Sequence, residues 1–443
     1  MQYLKCINFM KNIFKIKNKD IKVVFKNFAS LSFLQLVNSV LPIVTMPYLV
    51  RILGPEKYGL IYLAQAVTQY LVNFTDYGFN LTATMDISVN RNNMNEIKKI
   101  FNAVMFIKTI FMLLSFVILC SLIFLIPSMR SESAIYIITF GMVVGNVMFP
   151  TWFFQGMEDM NYITIINIII KVSFTISVFI FVKSSGDYVV VALLYTLGFI
   201  VSGVMALVVV HTKYRISFQI TKYSVVIEQL KQGWQVFIST LLISFYSNSS
   251  IIILGIVSNN TYVGYFTAGE KLIRAIQRMI YPIQQAVFPF LSRITSNGKE
   301  DSINFLKKLT LVVGTFTLVI SLSLLIFSGL ITNILLGSSY GGAVGVFKIL
   351  CFVIFFNAIG SIFGMQTMLA FDYKNEFTVI MFLATVTNII LSVVLGTYYH
   401  HIGCAWAVLI TEIFICISSF VFINSRGVKL LPRLHSKVEV ENS

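Results

Sequence analysis

Phe111-Met-Leu-Leu-Ser-Phe-Val-Ile-Leu-Cys-Ser-Leu-Ile-Phe-Leu-Ile126 runs without a single charged side chain. Extended upstream to Phe101, the segment as a helix would be about 39 Å long at 1.5 Å per residue. A hydrocarbon layer about 30 Å thick needs roughly 20 apolar residues to cross it. A shorter run of the same character, Ile163–Ile170, recurs downstream. Such continuous runs exclude a membrane β-barrel, whose strands are about ten residues long and alternate in polarity. The whole chain agrees: 57% of its 443 residues are hydrophobic and 12% are charged. Soluble domains carry about 25% charge, so a water-soluble fold of this size is excluded.

The pattern predicts an all-α membrane protein of about twelve transmembrane helices, at 28–49, 58–80, 101–126, 134–154, 161–182, 188–210, 234–256, 262–291, 306–329, 343–370, 377–397 and 402–423. It divides into a basic tail (1–27), a six-helix half (28–210), a linker (211–233), a second six-helix half (234–423) and a C-terminal tail (424–443). An even number of spans puts both termini on one side. Of the 33 Lys and Arg residues, 23 fall in the tails and loops of that side. The opposite side has Arg51, Lys57, Arg130 and Lys183. The positive-inside rule then makes both termini cytoplasmic. This placement accounts for most of the net charge of +15, so nucleic acid is not an expected partner. The N-terminal tail would rest on anionic lipid headgroups. It does not read as a cleavable signal peptide, because no small-residue cleavage site follows a short apolar core. The linker carries Val225, Val226 and Leu230 among charges and reads as an interfacial helix. Cys6, Cys120, Cys351, Cys404 and Cys416 lack metal-site spacing and read as free thiols. The adjacent pair His400-His401 does not make a metal site by itself.

With Lys307 and Lys308, at the very start of the ninth span, counted with the loop before it, six basic residues are left inside the spans: Lys108, Lys171, Lys271, Arg274, Arg278 and Lys348. Intramembrane charge costs about 2.5–3.5 kcal/mol on insertion scales and usually faces a bundle interior or a water-filled cavity. Lys348 lies near a helix end, within reach of the interface. The eighth span carries Glu270, Arg274, Gln277, Arg278, Tyr281, Gln284 and Gln285 within a sector of roughly 120°. Two readings stay open. The stripe is a wall of an aqueous pathway, or Glu270 pairs with Arg274 while the glutamines bond neighbouring helices. Glu270 can neutralise only one of the two arginines.

The second span repeats the pattern with Gln65, Gln69, Asn73 and Asp76. A shift of 205 residues superposes these on Glu270, Arg274, Arg278 and Tyr281. Two like-oriented halves follow, with the expected site between them near the midplane. Asp76 and Asp86 serve either as fold-stabilising partners of Arg91 or Lys98, or in ion coupling. Asp76, the deeper, is one coupling candidate and Glu270 the other. Gln35 and Asn38 add polar groups in the first span, and Pro42, Pro47, Pro282 and Pro289 are expected kinks.

Five motifs carry a family resemblance. They are Arg51-Ile-Leu-Gly-Pro-Glu-Lys-Tyr-Gly-Leu60, Asp76-Tyr-Gly-Phe-Asn-Leu-Thr-Ala-Thr-Met-Asp-Ile-Ser88, Trp152-Phe-Phe-Gln-Gly-Met157, Val263-Gly-Tyr-Phe-Thr-Ala-Gly-Glu-Lys-Leu272 and Leu335-Leu-Gly-Ser-Ser-Tyr340. Together, and in this order, they resemble the Wzx-type flippases of the polysaccharide transporter family, in the superfamily of the multidrug (MATE) and lipid II flippases. The chain departs from that pattern at Met85, where a basic residue is common. The resemblance implies a flippase, not an enzyme, in a bacterial inner membrane. Its cargo would be an undecaprenyl-pyrophosphate-linked oligosaccharide repeat unit of O-antigen or a similar surface polysaccharide. It also implies a polysaccharide polymerase and a chain-length regulator as partners. No cofactor is expected, and H+ or Na+ coupling would drive the cycle. The residues suit that cargo: Arg274, Arg278 and Lys171 offer charge-assisted hydrogen bonds to pyrophosphate. Gln65, Gln69, Asn73, Gln277 and Tyr281 suit sugar hydroxyls. The competing reading is a multidrug or cation antiporter on the same fold.

Overall fold

The computed structural model describes residues 18–219, 221–297 and 299–428. Among these residues there is no strand, as an apolar solvent that cannot satisfy backbone groups requires of a protein that is not a closed barrel. The helices are α1 (Asn18–Asp76), α2 (Phe79–Val89), α3 (Met94–Leu125), α4 (Pro127–Ser131), α5 (Ser133–Met148), α6 (Thr151–Gly156), α7 (Met160–Phe181), α8 (Tyr188–Tyr214), α9 (Tyr223–Val257), α10 (Asn260–Asn297), α11 (Lys299–Ile326), α12 (Ser328–Leu336), α13 (Gly341–Ser361) and α14 (Lys374–Ser425). A π-helical segment, Ile362–Met368, continues α13. Each of the twelve expected spans falls on helix. Among the described residues, seven helices are long and apolar enough to cross a membrane, and α14, at 52 residues, holds two of the expected spans.

Several boundaries differ from expectation, each for a local reason. The first two spans share α1, broken only at Gly54 (φ 70, ψ 171). That conformation is open to glycine at no steric cost, and Pro55 follows it. The second span stops at Asp76 instead of residue 80, because Tyr77 (φ 47) and Gly78 (φ 81) take left-handed conformations before α2. The fourth span is divided at Phe149-Pro150, and Trp152-Phe-Phe-Gln-Gly156 is a helix of its own. The apolar run hid this break, although Pro150 marks it. The linker expected at 211–233 is non-helical only between Arg215 and Lys222 among its described residues; from Tyr223 onward it is the first part of α9. At the start of α3, Asn93 is the N-cap, its side-chain oxygen accepting the backbone N–H groups of Asn95 and Glu96.

The chain forms two compact units, Met1–Asn248 and Ser249–Ser443, that meet inside α9. In the first, α5 and α8 pack with their backbones close. A Cβ on Gly145 would lie 2.4 Å from the Phe199 carbonyl oxygen, and one on Gly203 would lie 2.7 Å from that of Gly145. Small residues permit such contact in a membrane, where dispersion replaces the hydrophobic effect between helices. The core of this unit gathers Phe79, Phe101, Trp152, Phe153 and Phe154, all essentially inaccessible. In the second unit, Leu291, Leu306, Ile362, Phe363, Met368 and Ile423 form the main cluster. The two limbs of α14 fold back on each other at His400 (φ 51, ψ −127), its one non-helical residue. A Cβ on Gly403 would sit 1.9 Å from the Leu395 carbonyl oxygen, so only glycine fits this turn.

Candidate functional site

In the first unit the polar stripe of α1 is largely engaged by its neighbours. Gln65 is half-buried and Gln69 exposed. Gln69 donates from Nε2 to Asn73 Oδ1 at 3.1 Å, and Asn73 Nδ2 donates to Ser244 Oγ on α9 at 2.6 Å. Asp76 ends the stripe and receives three donors. Lys108 Nζ on α3 lies 2.8 Å from Oδ1, Asn146 Nδ2 on α5 lies 2.9 Å from the same oxygen, and Asn80 Nδ2 reaches Oδ2 at 3.2 Å. The Lys108 side chain is 2% exposed and that of Asp76 15%. This clasp corrects the expected pairing of Asp76 with Arg91 or Lys98. Arg91 instead pairs with Glu158 at 2.7 Å, and Asp86 accepts Gln229 Nε2 at 2.7 Å. Lys171 is half-buried on α7.

In the second unit, Glu270 is buried on α10 and its Oε1 accepts Arg274 Nε at 2.9 Å, with Nη2 at 2.8 Å. The Arg274 side chain remains 44% exposed. Gln277 is half-buried and Arg278 exposed one turn further on. The Glu270–Arg274 pair expected from i, i+4 spacing is therefore formed, and this face carries one net positive charge over Glu270, Arg274 and Arg278. The side chains of Asn38, Tyr281, Gln284 and Gln285 lie outside the described residues, as do those of Pro282 and Pro289 and the whole of Cys6. Gln35 is exposed on α1.

Two buried polar features of this unit had no counterpart in the sequence reading. Asn388 Oδ1 accepts the hydroxyls of Ser249 at 3.0 Å and Ser250 at 3.4 Å, and Asn388 Nδ2 donates to Thr411 at 3.2 Å. Ser250 also meets Ser392 at 3.0 Å. This neutral network ties α9 to both limbs of α14. Glu412, one residue along, is buried with Asn357 Nδ2 at 3.3 Å from each carboxylate oxygen. Its signal in the sequence is plain: a lone acid inside an apolar span. The Asn388 network has no comparable signal, because hydroxyls and amides pass unnoticed in membrane helices.

Comparison with known proteins now identifies the architecture. The family model described as "Polysaccharide biosynthesis protein" matches residues 24–295. The chain belongs to this family. Within it, the chain is 33% identical over 92% of its length, and 97% of the relative's, to a "Putative O-antigen transporter" of Escherichia coli (strain K12). It is 27% identical over 88% of its length, and 97% of the relative's, to a protein of the same description from Shigella dysenteriae. Among solved structures, an inward-facing MATE family multidrug transporter of the MOP superfamily superposes with TM-score 0.68 at 13% identity. That match covers 87% of this chain and 95% of the other. The lipid II flippase MurJ in an inward closed conformation gives 0.66 at 12% identity, over 90% and 87%. At these identities the structural likeness establishes the fold alone. This member of the polysaccharide biosynthesis family is thus an all-α, multi-pass membrane protein with a MATE-like fold.

Proposed function

We propose that this chain is a flippase for an undecaprenyl-pyrophosphate-linked oligosaccharide repeat unit of O-antigen or a similar surface polysaccharide. It would expose its site alternately to the two sides of the bacterial inner membrane, with both termini in the cytoplasm. The observation that carries the reading is the match, along nearly the whole chain, to relatives described as putative O-antigen transporters. The chemistry of α10 supports it. A pyrophosphate headgroup is multiply anionic, and Arg274 and Arg278 lie exposed one turn apart on a helix expected to span. Guanidinium groups bind phosphate through paired, charge-assisted hydrogen bonds. Lys171, Gln65, Gln69, Asn73, Gln277 and Tyr281 complete the proposed headgroup contacts, and membrane lipid would hold the polyprenyl tail. A multidrug antiporter on this fold is not favoured, since a cationic drug would meet like charge at Arg274 and Arg278.

The proposal treats the protein as a transporter without catalysis of its own, working beside a polymerase and a chain-length regulator. An H+ or Na+ gradient would drive the cycle through Asp76 or Glu270. The test deletes the gene, restores it with Arg274→Ala or Arg278→Ala, and quantifies lipid-linked single repeat units and surface polysaccharide. Deletion should leave repeat units accumulated on the cytoplasmic leaflet, and each variant should partly reproduce that state. Normal polysaccharide from well-inserted variants would remove the arginines from the site. An absence of lipid-linked units in the deletion strain would overturn the flippase reading itself.

A further inference from the structure

His400 and His401, dismissed as a metal site on sequence grounds, occupy a built position. They form the turn between the limbs of α14, and Tyr262, from the first turn of α10, stacks parallel to both rings. Its ring centroid is 4.6 Å from His400 at an interplanar angle of 8° and 4.9 Å from His401 at 10°. Three further contacts fix this arrangement. Asn259 Oδ1 accepts the Tyr262 backbone N–H at 3.1 Å, His400 Nδ1 lies 3.3 Å from Ser258 Oγ at the end of α9, and His401 bonds the backbone of Gly342 at the start of α13. Tyr265 packs on His401 at 5.4 Å and on Tyr340 at 5.9 Å. One aromatic stack thus joins the ends of α9, α10, α13 and both limbs of α14.

The two nitrogens of His401 are not equivalent. Nδ1 is buried and has no hydrogen-bond partner among the described residues. Imidazolium carries an N–H on both ring nitrogens, so it would put a donor at this buried atom, which has no hydrogen-bond partner. We infer that the His400–Tyr262–His401 stack is a pH-sensitive latch, holding these helix ends together when His401 is neutral and loosening on acidification. The titratable groups facing His401 are His400, Tyr262 and Tyr265, and among the described residues no carboxylate faces it to steady an imidazolium. A single cation on the Tyr262 face would be attracted to it, so the penalty resides in the buried Nδ1 and in repulsion between the two histidines. Burial, against the opposing Gly342 bond and with help from His400, holds His401 below the usual histidine value. A group whose pKa is depressed in the latched state supports that state fully above the free value, about 6.5. Its support is lost as pH falls from there towards the depressed value. On the proposed topology the latch faces the periplasm, where pH follows the surroundings.

The test is hydrogen–deuterium exchange on the full chain in lipid nanodiscs at pH 7.5 and 5.0, read as protection factors over 258–266 and 396–403. In the unmodified protein, protection should fall by about tenfold for each unit by which latching depresses the His401 pKa. In His401→Phe, which keeps a ring against Tyr262 but cannot titrate, and in His401→Gln, which keeps a donor for Gly342, it should change less than about twofold, well under the factor of ten that one unit represents. Equal protection at both pH values in the unmodified protein, or an unaltered response in both variants, would overturn the latch. Should both variants fail to fold, histidine-selective NMR of the unmodified chain decides. His401 titrating at or above the usual value sinks the proposal, and titration below it together with acid loss of protection supports it.

Discussion

The Asp76–Lys108 clasp of the first unit and the Glu270–Arg274 pair of the second lie on helices that the sequence pattern equates, yet they solve different problems. Asp76 and Lys108 come from different helices, are nearly closed to solvent, and gather two asparagine amides. Glu270 and Arg274 share one helix, and the arginine stays 44% exposed beside a second arginine. The first arrangement neutralises its charge internally and binds α1, α3 and α5 together. The second leaves a positive face open. A polar stripe on a membrane helix therefore does not announce its use. What separates the two is burial: the lysine is enclosed against a neighbouring helix, while both arginines keep exposed surface.

That contrast can be broken experimentally. The largest effect should come from Lys108→Met, which leaves the largely enclosed Asp76 without its counter-charge. Breaking a buried pair from one side costs about 3–5 kcal/mol, so the melting temperature of the purified protein should collapse. Lys108→Met combined with Asp76→Asn should restore most of it; failure of the double variant to recover would show that the clasp is more than a neutralised pair. Next is Arg278→Glu. A hydrogen bond to a charged group is worth about 1.5–3 kcal/mol, roughly tenfold to a hundredfold in affinity. Polysaccharide export should fall on that scale while the melting temperature holds. If instead the protein unfolds, the α10 face is structural and the contrast disappears. Asn388→Ala probes the neutral counterpart of the clasp and should cost about 1–3 kcal/mol by stranding the Ser249 hydroxyl, again read by thermal melting. The smallest effect belongs to Arg91→Ala. Its side chain and that of Glu158 are 35% and 42% exposed, and such pairs contribute about 0–1 kcal/mol.

The spans were legible because the bilayer imposes a length and a polarity that composition alone reveals, as at Phe111–Ile126. The i, i+4 pair of Glu270 and Arg274 was legible for the same reason, since helical periodicity brings the two together. Lys108 and Asp76 lie 32 residues apart on separate helices; no periodicity relates them, and only packing brings them within 2.8 Å. The partners of Asp86 and Arg91 were misassigned because nearness in sequence stood in for nearness in space. Glu412 was legible but overlooked, being the sole acid among the apolar residues of its limb. The separate helix at Trp152 escaped because aromatic residues look alike whether they continue a span or fill a core beneath its end.

The turn at His400 also has a consequence for biogenesis. Between Lys374 and Arg426, α14 contains no lysine or arginine, and its two limbs are joined by one non-helical residue. An inserting machinery that reads basic flanks therefore finds nothing at this turn with which to orient either limb alone. By that rule the basic residues that could orient the pair are those at its open end, Lys374 and Arg426. A pair of lysines placed at Tyr398 and Tyr399 would leave the folded contacts of α14 intact and still oppose its delivery to the membrane.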